Sequence, residues 1–103
     1  MFQLNALYNP PEDPDAFDKH YDNVHAGLAA KMPGLQRFTV NRPGPDPEGN
    51  PPRFHLVATL EWADQAAFQE AIASPEGQAA LADLPNFAGA GMTMLTGKAT
   101  QYF

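Results

Sequence analysis

The sequence predicts an α+β domain with the order β-α-β-β-α-β. Three observations lead there. Apolar residues alternate over residues 2–8 and 54–62, the two-residue period of a strand with one buried face. They recur every three or four residues from 17 to 32, the period of a helix face. Proline and glycine clusters separate these stretches. At 103 residues the chain is long enough for one domain, covering 1–103.

The first strand places Phe2, Leu4, Ala6 and Tyr8 on one face, and Asn9-Pro10-Pro11 stops it. Asp13 then suits a helix N-cap and Pro14 the first helical position. Phe17, Tyr21, Val24, Leu28 and Met32 form the expected apolar face, and Pro33-Gly34 ends the helix. A second strand is expected from Leu35 to about Asn41. The stretch from Arg42 to Arg53 holds five prolines and two glycines, so it reads as a loop. Phe54, Leu56, Ala58, Leu60 and Trp62 line one face of a third strand. Asp64 caps a second helix, which Ser74-Pro75-Glu76 interrupts and restarts as far as Asp83. Asn86 to Gly91 reads as a small-residue loop, and Met92 to about Ala99 as the last strand.

This order is the ferredoxin-like arrangement, an antiparallel sheet with two helices on one face. The other face would then stay uncovered. Depending on register, Leu7, Phe38, Val40, Val57 and Leu95 could lie there with Asn5, His55 and Thr59. Such a face invites a second subunit, and two sheets packed together would close a dimeric α+β barrel.

Composition narrows the function classes. Six Lys and Arg stand against twelve Asp and Glu, a net charge of -6. A chain so acidic is a poor partner for nucleic acid or anionic lipid. The absence of cysteine removes disulfides, thiolate metal sites and cysteine nucleophiles. No apolar run reaches the roughly 20 residues of a membrane span, and the first residues lack a secretory signal pattern, so a cytoplasmic protein is expected.

Residues 17–43, FDKHYDNVHAGLAAKMPGLQRFTVNRP, resemble the helix-to-strand signature of the EthD family. Residues 74–97, SPEGQAALADLPNFAGAGMTMLTG, and the strand FHLVATLEW are similar to it in the same order. The family takes its name from ethyl tert-butyl ether degradation and belongs to the dimeric α+β barrel superfamily. One departure is His25-Ala26-Gly27-Leu28, where many relatives have His-x-Pro-Leu. The resemblance implies a homodimer, a pocket between sheet and helices, and an association with the breakdown of organic compounds. Superfamily relatives include monooxygenases, lactone isomerases and polyketide cyclases that use no metal or bound organic cofactor. No Gly-x-Gly-x-x-Gly or flavin motif is present, so no cofactor is expected here.

Within that frame His25 is the first candidate for catalysis. It falls at the edge of the helix's apolar face, and an imidazole suits proton transfer near neutrality. Asp22, three residues earlier, could support it. Tyr21 could add a phenolic hydroxyl. Both also read as ordinary members of a core. His55 is out of phase with its strand's apolar face and should point to the sheet-to-sheet space. Leu28, His55 and Trp62 are expected around an apolar pocket. The resemblance adds Asp83, as a partner for loop amides, and Phe87, as a pocket wall. His20 and His25 lie about 140° apart on a regular helix, so they should not converge, and no metal site is expected. Ser74 reads as a cap.

Two functions fit these residues. One is cofactor-independent proton transfer or oxygenation on an apolar, oxygen-bearing small molecule, with His25 as acid/base. The other is a non-catalytic binding protein that serves a partner oxygenase.

Overall fold

The computed structural model describes residues 1–103. Four strands form one antiparallel sheet in the order β2-β3-β1-β4, with β1 at Phe2–Tyr8, β2 at Arg37–Asn41, β3 at Leu56–Trp62 and β4 at Met92–Lys98. The helices are α1 (Pro14–His20), α2 (Ala26–Ala30), α3 (Gln65–Ala73) and α4 (Pro75–Asp83). This is the ferredoxin-like architecture that the periodicities predict.

The caps fall where the residue types ask for them. Asp13 and Asp64 accept from the amides of Ala16 and Ala67. Ser74 ends α3 and begins α4, its hydroxyl accepting from Gly77 N–H at 3.0 Å. Strands β2 and β3 start later than expected, at Arg37 and Leu56.

The larger difference lies in the first helix. Tyr21–His25 forms a π turn between α1 and α2, in which the Ala26 amide reaches back to Tyr21 O. The extra residue in that turn changes which side chains face the sheet. The buried series is Phe17, Tyr21, His25, Ala29 and Met32. Val24, expected in the core, is 42% exposed, and Leu28 is only half-buried. A π turn keeps residues four apart on one line, where a regular helix would let them drift by about 40°.

Register settles the two sheet faces. Phe38 opposes Leu60 and Val40 opposes Ala58, so both turn toward the helices and leave the open face. That face carries Leu7, Val57 and Leu95 around two polar pairs. Thr59 donates to Asn5 at 2.8 Å and Gln3 to Glu61 at 2.7 Å. Leu95 is 53% exposed there. His55 is not part of this face. Its Nε2 lies 2.7 Å from Asp18 and its ring meets Phe17 edge-on, because the chain has not yet entered β3 and the side chain turns toward α1.

Candidate active site

The site begins with two alanines. In the rows that face the helices, Ala6 and Ala58 oppose each other among Leu4, Leu60, Tyr8 and Leu56. Small side chains at one cross-strand pair leave space beneath the helices. The result is an apolar cavity of about 40 Å³, bordered by Ala6, Ala58, Ala29, Tyr8, Tyr21 and His25 among others. Met94, 41% exposed on the edge strand β4, lies on its rim.

The π turn brings His25 to this cavity and His20 to the other side of the same carboxylate. Asp83, at the end of α4, is 6% exposed. Its Oδ2 accepts from His25 Nδ1 at 3.0 Å, and its Oδ1 accepts from His20 Nε2 at 2.9 Å and Asn86 Nδ2 at 3.0 Å. Burial by itself would raise the Asp83 carboxyl, but the hydrogen bonds from Asn86, His20 and His25 outweigh it and hold it below the ordinary range. An ionised carboxylate only accepts, so both imidazoles carry their protons on the nitrogens that face Asp83. Burial pushes the His25 imidazole below its ordinary value, further than its bond to Asp83 and that residue's charge lift it. His25 is therefore neutral at pH 7, with an unprotonated Nε2.

That nitrogen makes no hydrogen bond, yet no buried side-chain nitrogen or oxygen is sealed without a partner. Nε2 thus borders open space, and the cavity is the space His25 lines. The same holds for the hydroxyls of Tyr8 and Tyr21. Both rings are 2% exposed, and both phenols are pushed up chiefly by burial, so they stay protonated donors. The arrangement sets one bare imidazole nitrogen and two phenols on an otherwise apolar wall. It can accept a proton and donate to an oxygen.

Several expected site residues sit elsewhere. Asp22 does not support His25; it pairs with Arg42 at 2.8 Å on the surface, and Asp83 takes the supporting position. Asp83 binds side chains, not the following loop's amides. His20 and His25 do converge, because the π turn and a shared anchor offset their separation on a regular helix. The two rings and the carboxylate are engaged with one another, and no three His, Asp or Glu side chains are arranged to hold a metal. Trp62 is fully buried away from the cavity, its indole donating to Pro33 O at 3.1 Å against Phe68. Leu28 packs in a shallow surface groove beside Pro75 and Ala79. Phe87 lies against both imidazoles, 4.6 Å from His25 and 5.2 Å from His20 between ring centres. Sequence reasoning missed Tyr8, His20 and Asn86. Tyr8 carried a signal, as the only phenol in an apolar strand row that ends beside the first helix.

Comparison with known proteins agrees with this fold. The EthD domain family matches residues 9–91. A Rhodococcus erythropolis protein described as an uncharacterized 11.0 kDa protein in the thcB-thcC intergenic region is 42% identical over 95 residues, covering 92% of this chain and 91% of that one. An EthD family protein from Bacillus halodurans has a crystal structure with TM-score 0.91 and 39% identity, over 97% of this chain and 99% of that one. A dimeric ferredoxin-like protein of unknown function from Thermobifida fusca shares the fold at TM-score 0.71 and 17% identity, over 95% and 90% of the two chains. Family match, identity and coverage together make this chain a member of the EthD family, whose small proteins are associated with the degradation of organic compounds.

Proposed function

We propose that the protein takes up an apolar, oxygen-bearing small molecule and acts on it by proton transfer, with His25 as the base and Tyr21 assisting. Removal of a proton opens either isomerisation or, with dioxygen, oxygenation, and neither requires a bound cofactor. The observation that carries this reading is the unpaired His25 Nε2 on an apolar cavity, its ring oriented from behind by Asp83. The cavity of about 40 Å³ is smaller than the roughly 150 Å³ that holds benzene, so a ligand enters only as the wall yields.

His25→Gln tests the assignment, since glutamine keeps hydrogen bonding and loses the titrating nitrogen. Small cyclic ketones in heavy water serve as probes, with deuterium uptake at carbon read by NMR. The exchange rate is expected to fall about 100-fold or more in the variant. Equal rates in both proteins would remove His25 from the chemistry.

A second reading is a non-catalytic carrier for a partner oxygenase. It is favoured by the position described for the Rhodococcus relative, between thcB and thcC, where a protein that serves a neighbouring gene product would stand. Saturable ligand binding without any exchange would select it.

The open sheet face, with Leu7, Val57 and Leu95 unburied by any helix, is proposed as a homodimer interface. The dimeric description of the Thermobifida protein supports this. Such an interface would bury on the order of 2,000 Å² in total. Sedimentation at micromolar concentration is expected to give twice the chain mass, and a monomer would overturn the assignment.

A further inference from the structure

Asp83 orients two imidazoles, and only one of them faces the inner cavity. His20 lines a separate surface cleft of about 490 Å³, together with Glu12, Asp13, Phe17, Asn86 and Phe87. Its Nε2 donates to Asp83, which leaves Nδ1 as the ring nitrogen not engaged by the carboxylate. That nitrogen makes no hydrogen bond, and the side chain is 27% exposed. The His20 ring stacks on Phe87 at 5.2 Å and 20° between planes, and Phe87 is packed in turn against Phe17. The cleft therefore offers stacked aromatic rings, one ring nitrogen held in place from behind by a buried carboxylate, and two acidic residues in its lining. Its volume lies within the roughly 300–1,000 Å³ of small-molecule sites, while the inner cavity's does not.

We propose that this outer cleft is a second ligand site, which takes a neutral, planar, hydroxyl-bearing molecule such as a phenol through a hydrogen bond to His20 Nδ1. The acidic residues in the lining disfavour anions, and the flat rings of His20 and Phe87 favour an aromatic partner. A hydroxyl supplies the donor that a bare imidazole nitrogen requires. The proposal stands apart from the role of His25, which lines the inner cavity and not this cleft.

Phenol itself is the probe, titrated into the isotopically labelled full chain with ring, amide and methyl signals followed by NMR. Saturable shifts are expected at His20, Asn86 and Phe87. His20→Phe keeps the aromatic surface and removes the acceptor, and should weaken phenol by about tenfold. His25→Gln should leave phenol affinity within about twofold while it lowers carbon exchange, so failure of either assignment is visible by itself. Shifts centred on Ala6 and Ala58, or an affinity indifferent to His20→Phe, would overturn the proposal.

Discussion

Gly77→Ala is expected to cost about 3 kcal/mol or more of stability, among the larger effects of a single methyl group. Gly77 is buried in the first turn of α4, where the chain folds back on α3. A Cβ there would overlap the carbonyl oxygen of Ala71 and come within 2.8 Å of Ile72 O and 2.9 Å of Ile72 Cα. All three atoms are backbone, so no rotamer change relieves the overlap and one helix must shift. The shift would also strain the Ser74 cap, which binds the Gly77 amide. Gly27→Ala in α2 is the control, because nothing lies within 4 Å of its added methyl group. It should stabilise by about 0.5–1 kcal/mol through helix propensity. Urea melts of the two variants check both signs, and a loss below about 1 kcal/mol at position 77 would show that the helix pair can slide apart cheaply.

Asp83→Ala is expected to be nearly as damaging, at about 3 kcal/mol. It strips the acceptor from His20, His25 and Asn86 together, two of these bonds spanning more than fifty residues of chain. Asp83→Asn keeps one acceptor oxygen and should lose about half as much. The site also predicts how stability follows pH. The His25 imidazole is depressed in the fold from an ordinary 6.5, so the unfolded chain takes up a proton that the native state refuses. Stability is thus steady above pH 6.5 and declines as the pH falls from there to the depressed native value. Asp83 is depressed from an ordinary 3.8, so its contribution is complete above that value and is lost as the pH falls through the native one. Thermal melts from pH 8 downward should show both declines, and Asp83→Asn should lack the more acidic one. A flat profile across the histidine range would mean that His25 is solvated in the native state.

What the sequence determined by itself was local or repetitive. The alternation in β1 and β3, the Asp13, Asp64 and Ser74 caps, and the proline-rich loop were all legible, because each depends on neighbours within a turn or on a fixed period. The family likeness was legible too, as an ordered set of segments. His25 and Tyr21 were placed near a pocket by helical spacing together with the family likeness, although the spacing also put Val24 in the core, where it is not. Tertiary structure decided the rest. A π turn gives up regular helical hydrogen bonds, and nothing in FDKHYDNVH announces it. Here it accompanies an anchor, Asp83, that lies 58 residues beyond His25 and 63 beyond His20. The void beneath the helices likewise needs Ala6 to oppose Ala58, a register set by the whole of β1 and β3. Periodicity reports which face a residue takes if its helix is regular. Where a buried carboxylate holds two imidazoles, satisfying those polar groups outweighs regularity, and only the assembled fold shows which residues meet.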